Sequence, residues 1–131
     1  MKFKYKKDQT RFNDLPKILK DIALEVEDWC EEMSVGFLIT ATWSTKEEDE
    51  KDNRISLTHR NKRAFDFVPI GWSDFDIKEF ISYFTQRFGR HGAFSSKDGV
   101  QRLILFHENG NIKGAKKHFH IQISPDSAKI V

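Results

Sequence analysis

The chain has 131 residues and a mass of 15.4 kDa, the size of one domain able to bury roughly two-thirds of its unfolded surface. Its 22 basic and 20 acidic side chains leave a formal charge of +2, an excess too mild to call for a nucleic-acid partner. No apolar run reaches the length of a membrane span, and the basic start from Met1 to Lys7 lacks the apolar stretch of a signal peptide.

With no internal repeat or low-complexity tract, residues 1–131 read as a single domain, cytosolic at synthesis. Asn13, Asp14, Leu15 and Pro16 offer a cap, an acid for a first turn and a proline where a helix tolerates one. From there Leu15, Ile18, Leu19, Ile22, Val26, Trp29, Cys30 and Met33 recur at three- and four-residue intervals, which predicts an amphipathic helix. Cys30, the only cysteine, excludes an internal disulfide framework and sits on that apolar stripe as a buried structural thiol. Val35 to Trp43 is rich in Val, Phe, Leu, Ile and Thr and predicts a strand.

The acid-rich run from Lys46 to Asn53 shows neither apolar period and predicts a solvated, mobile loop, with a lid over a neighbouring site as its functional reading. Ala64 to Val68 predicts a short strand ended by Pro69 and Gly71. Ser73 and Asp76 have the spacing of a capping box, and Ile77, Phe80, Ile81, Phe84 and Phe88 give a second helix its stripe, with Gly89 as its C-terminal cap. Val100 to Phe106 and His118 to Ile123 predict two strands joined by a long hairpin connection through Asn109-Gly110-Asn111.

Apolar and polar residues alternate from Lys117 to Ile123, so His118 and His120 share one strand face while Phe119, Ile121 and Ile123 turn to the core. Catalytic zinc commonly keeps three protein ligands and leaves a fourth position to water. His59 and Asp66, seven positions apart in a loop that ends in a strand, can supply two of them, and His120 a third from the hairpin. His118, one pleat away, stands as a group that donates to a developing oxyanion or helps move a proton. His91, in Arg90-His91-Gly92, is expected to be solvent-exposed, and His107 is a candidate outer-shell group.

At these residues the chain resembles the D-alanyl-D-alanine metallopeptidase and hedgehog-like superfamily, whose small α+β zinc fold is shared with lysostaphin-type peptidases. Members carry Ser-x-His-x-x-Gly-x-Ala-x-Asp and a late His-x-His. His59, Ala64 and Asp66 match the first pattern and His118-Phe119-His120 the second. The resemblance implies zinc held by His59, Asp66 and His120, with His118 as the catalytic residue beside it. It also implies an α+β domain with a small, mostly antiparallel sheet and two amphipathic helices, spanning roughly residues 13–124.

The chain departs from the pattern at several positions. Lys62 stands in the glycine's place and Leu57 in the leading serine's. The strand end Ile39-Thr40-Ala41-Thr42-Trp43-Ser44 lacks the arginine found there, and no acid stands at Lys117.

The activity implied is that of a zinc-dependent peptidase on peptidoglycan peptides, carboxypeptidase or endolysin-like, acting at the cell wall after lysis or export. The alternative is a non-catalytic zinc-binding or structural module of the same fold, of phage or mobile-element type. RNA binding is the third class, since Arg63-Ala64-Phe65-Asp66-Phe67-Val68 faintly resembles the aromatic strand of RNA-recognition domains. Asp66 between the would-be stacking rings, and a helix rather than a strand at the start, argue against it.

Overall fold

The computed structural model describes residues 1–108 and 117–131; the Asn109-Gly110-Asn111 turn lies outside them. A short helix with no apolar stripe to announce it, α1 (Lys6–Arg11), opens the chain and runs through a 3-10 turn at Phe12–Asp14 toward α2 (Lys17–Glu32). The cap expected at Asn13 falls instead at Pro16, because Asn13 and Asp14 are taken up by the 3-10 turn. The α2 stripe is buried through most of its length, with Leu19, Ile22, Ala23 and Val26 fully covered and Cys30 nearly so, while Met33, expected to continue it, is the C-cap and is exposed. Burial, with Glu27 adding to it, pushes the Cys30 thiol up to about 12, so it stays protonated and inert at neutral pH.

After β1 (Gly36–Ala41) comes the clearest departure from expectation. The acidic run forms a helix, α3 (Lys46–Lys51), rather than a mobile loop. Thr45 accepts from the Glu48 amide while the Glu48 carboxylate accepts from the Thr45 amide, a complete capping box. Three acids in the first turn also complement the helix dipole. Glu48 then reaches α1, accepting from Lys7 Nζ at 2.5 Å and Arg11 Nη1 at 2.7 Å.

Strand β2 (Ala64–Ile70) runs two residues beyond the expected end, through Pro69. Proline is tolerated because Pro69 pairs only with Phe37 of β1, the pairing on the other side of β2 having stopped at Phe67. Helix α4 (Asp74–Phe88) begins at the Ser73 and Asp76 capping box and ends at Gly89, as the sequence indicates. Two-residue strands β3 (Ala93–Phe94) and β4 (Gln101–Arg102) pair as a small separate sheet. The chain closes with β5 (Ile104–His107), β6 (His118–Gln122) and the short helix α5 (Pro125–Ala128).

Among the described residues the architecture is mixed α and β: five α-helices, the two-stranded sheet and a four-stranded antiparallel sheet ordered β1-β2-β6-β5. Two of the helices, α2 and α4, are the long amphipathic pair expected. One face of the main sheet contributes Phe37, Ile39, Phe65, Phe67, Phe119, Ile121 and Ile123 to a core closed by Leu19, Ile22 and Val26 of α2 and Phe80 and Phe84 of α4. Strict alternation then commits Asp66, His118, His120 and Gln122 to the other face.

His91 is a second correction, being 8% exposed rather than solvated. Helix α5, far away in sequence, folds onto it: His91 Nδ1 lies 2.9 Å from Ser127 Oγ, and the His91 carbonyl accepts from the Ser124 amide. Beside it, Gly92 has no room for a side chain, because a Cβ would lie 2.6 Å from the Leu103 amide nitrogen. Glycine is needed there for close backbone approach rather than for a special φ.

Candidate metal centre

Three of the residues singled out in the sequence converge. The turn at residues 57–63, closed by hydrogen bonds from the Asn61 amide to the Leu57 carbonyl and from the Arg63 amide to the Thr58 carbonyl, brings His59 back over β2. Asp66 of β2 is the direct antiparallel partner of His120 of β6. One carboxylate oxygen, Asp66 Oδ1, lies 3.1 Å from His59 Nε2 and 2.8 Å from His120 Nδ1. The donor atoms of the three side chains all lie within 4.8 Å of one another, and His59 and His120 are only 4% and 7% exposed.

The outer hydrogen bonds assign the tautomers. His59 Nδ1 lies 2.6 Å from the Thr42 carbonyl, which can only accept, so Nδ1 carries the proton and the neutral ring offers its Nε2 lone pair to the centre. A bulge between Ile39 and Ala41 bends the end of β1 just before Thr42 and so sets the direction of that carbonyl. On the opposite side, Gln122 Nε2 donates to the Arg102 carbonyl at 3.0 Å, which fixes the amide so that Oε1 faces His120. His120 Nε2 lies 3.1 Å from that oxygen and must donate to it, leaving the Nδ1 lone pair toward Asp66.

Two neutral imidazoles therefore aim lone pairs at one carboxylate oxygen, an arrangement that repels itself unless a cation sits among the three atoms. A proton on an imidazole satisfies it, and so does a divalent metal. With zinc bonds of about 2.0–2.2 Å, ligands at a tetrahedral ion stand about 3.3 Å apart; the His59 separation of 3.1 Å falls close to that, the His120 separation of 2.8 Å is a shorter, hydrogen-bond distance, and the whole set lies within 4.8 Å. The residues fit zinc in ligand type, in spacing and in the outer partners that fix each histidine ring. Burial opposes charge on both His59 and Asp66, yet their mutual attraction prevails. The Asp66 carboxylate holds the His59 pKa above 6.5, while His59 and His120 hold Asp66 well below 3.8.

These directions give a pH dependence for the metal-free protein. Asp66, depressed in the fold, contributes stability that is present above 3.8 and lost as the pH falls through its folded value; His59, raised, contributes stability that is present below 6.5 and lost as the pH rises through its folded value. Zinc needs neutral imidazole, so its affinity should rise as the pH rises through the folded His59 value, with release of a proton. Thermal unfolding across the pH range, with and without zinc, checks the sign: the zinc-induced rise in Tm should grow as the pH passes the His59 value.

His118 lies on the same sheet face, about 7 Å along the strand from His120 at the spacing of alternate residues. The structure does not bring it into the donor set. His107, directly across from it on β5, packs its ring against that of His118 at 4.8 Å between centroids, and it also lies near enough to His120 and Asp66 to feel their charge. Burial, followed by the neighbouring imidazoles of His118 and His120, pushes the His107 pKa down and favours its neutral form.

Sequence reasoning missed the residues that mount His59. Asp49 of α3 is 1% exposed, although it belongs to the acidic run. It accepts from Ser44 Oγ at 2.5 Å and from Arg60 Nε at 3.0 Å, with Arg54 Nη1 at 3.6 Å. The capping-box spacing from Thr45 to Glu48 is the signal that could have revealed the helix. Beside this mount, a cavity of about 470 Å³ opens between α1, the end of β1 and α3, lined by Lys4, Arg11, Thr42, Trp43, Glu48 and Arg54 among others.

No family model matches the chain, and none of the curated proteins or solved structures compared with it matches either. No helix among the described residues is long and apolar enough to cross a membrane.

Proposed function

We propose that this protein is a zinc-dependent peptidase of the D-alanyl-D-alanine metallopeptidase and hedgehog-like type, acting on peptidoglycan peptides. The observation that carries the proposal is the convergence of His59 Nε2, Asp66 Oδ1 and His120 Nδ1 on one point, each ring held in the tautomer a metal requires. Lys62 adds support. It stands where the resembled motif has glycine, and its φ of 60° is the left-handed conformation that glycine adopts without steric cost.

Zinc held by these three side chains would supply a Lewis acid for a carbonyl oxygen and a water acidified to near neutrality. The chain does the rest. Thr42 and Gln122 keep the two rings oriented through their outer nitrogens. In this reading His118, on the same face, would donate a hydrogen bond where negative charge develops on an attacked peptide carbonyl. A cell-wall site of action would follow from that substrate.

A non-catalytic zinc module is the second reading, favoured by one feature of the end of β1. The position where the resembled motif carries arginine is Ser44, and its hydroxyl is engaged by Asp49. Incubation of the zinc-loaded protein with muropeptides, with products read by mass spectrometry, separates the two. The peptidase reading expects cleavage that is lost with chelator and in His120→Ala. Stoichiometric zinc without any cleavage supports the module, and cleavage that survives both treatments overturns the zinc mechanism.

A further inference from the structure

We infer that Asp49 is a positioning residue for the candidate metal centre, holding His59 at the distance its Nε2 needs to reach a metal shared with Asp66 and His120. The inference takes its consequence from the zinc reading, but its geometry is independent of it. His59 is mounted at two points on the segment after β1: its ring donates to the Thr42 carbonyl, and its own carbonyl accepts from the Ser44 amide at 3.2 Å. Neither segment is a regular element, since Thr42 to Thr45 follows the strand and residues 57–63 form a turn. Something must fix one against the other.

Asp49 does so with both carboxylate oxygens. Oδ1 takes the hydroxyl of Ser44, and Oδ2 takes the guanidinium of Arg60, the residue directly after His59. Arg54 closes the same cluster from the loop between α3 and the turn, its amide bonding the Asp49 carbonyl at 2.9 Å and its guanidinium facing Oδ1. A carboxylate this deeply covered, with charge-assisted bonds to both halves of the mount, leaves little freedom in their spacing. Helix α3 thus works as a bracket for one ligand of the centre. That is a different role from the lid its composition suggests.

The test compares Asp49→Asn with Ser73→Ala, which loses the remote N-cap of α4 and so lowers stability without touching the mount. Zinc affinity by chelator competition is expected to fall about tenfold in Asp49→Asn, the low end for outer-shell changes. Its cobalt-substituted visible spectrum is expected to change as well, while Ser73→Ala matches the parent in both. Equal affinity in Asp49→Asn and parent overturns the inference, as does a loss in Ser73→Ala that tracks its Tm.

Should Asp49→Asn not fold, Ser44→Ala decides: it keeps the amide bond to His59 and removes only one donor to Asp49, so a smaller loss in the same direction is expected and parental affinity refutes the role. If the parent binds no zinc, the functional reading fails separately. The bracket is then judged by solvent exchange of the His59 Nδ1 proton, which should quicken in Asp49→Asn relative to Ser73→Ala and, if it does not, refutes the inference.

Discussion

Zinc affinity in an Asp66→Asn variant is expected to fall at least about a hundredfold, beyond the 10–100-fold typical of changes one shell further out. On the peptidase reading proposed above, muropeptide cleavage is expected to vanish with it. The carboxylate contributes the negative charge of the donor set, and its Oδ1 is the atom both imidazoles face. Asparagine keeps the size and an acceptor oxygen but removes the charge, so what is lost is electrostatic rather than steric. The same substitution carries a second signature in the metal-free protein. The Asp66 charge is what holds the His59 pKa above 6.5 against burial; without it burial prevails and the imidazole stays neutral to lower pH. The loss of stability as the pH rises through the parent's His59 value should therefore disappear in the variant. Competition with a chelator measures the first effect and denaturant titration at several pH values the second. Parental zinc affinity in Asp66→Asn would remove the metal centre from this site.

The parts of the fold legible in the sequence are those where a single apolar period covers the whole element. The α2 and α4 stripes and the alternation around His118 and His120 each report burial directly, and each holds in the structure. The convergence of His59, Asp66 and His120 was legible for a related reason: a turn followed by a strand brings His59 and Asp66 together, and register pairs Asp66 with His120. What escaped is held by polar contacts across long separations. Helix α1 has no stripe and is fixed by Asp8, whose Oδ1 accepts from the Thr42 amide at 3.0 Å and hydroxyl at 2.6 Å. Composition marks Asp49 as solvated, yet Ser44, Arg54 and Arg60 surround it. His91 reads as exposed because its cover, Ser124 and Ser127, arrives from the far end of the chain. A charge run announces solvent only when its partners are also absent, and one sequence does not show which partners will return.

Phe119, between the two histidines of β6, should be the most costly residue of the strand to truncate. Its backbone is paired on both sides, to Phe67 of β2 and Phe106 of β5, and its fully buried ring sits among aromatic neighbours. Phe67 stacks on it at 4.9 Å, Phe80 and Trp72 stand at 4.9 and 5.3 Å, and Phe106 at 4.6 Å. Rings this mutually supported cannot collapse into the space a methyl group would leave, so Phe119→Ala should cost about 3–5 kcal/mol. That is a large share of the roughly 5–15 kcal/mol by which a domain is stable. The denaturant midpoint should drop with an unchanged m-value if the native strand pairing survives. His118→Ala, on the opposite face, removes a half-buried ring from outside this cluster and should cost far less. The contrast tests the alternation itself. Zinc should still raise the Tm of Phe119→Ala, because Asp66 and His120 hang from the backbone of β2 and β6 and His59 from the turn at residues 57–63, and stabilisation by a ligand depends on its affinity for the folded state rather than on how stable that state is. A Phe119→Ala protein as stable as the parent would mean that β6 does not present Phe119 to the core, and with that the shared face of Asp66 and His120 would fall too.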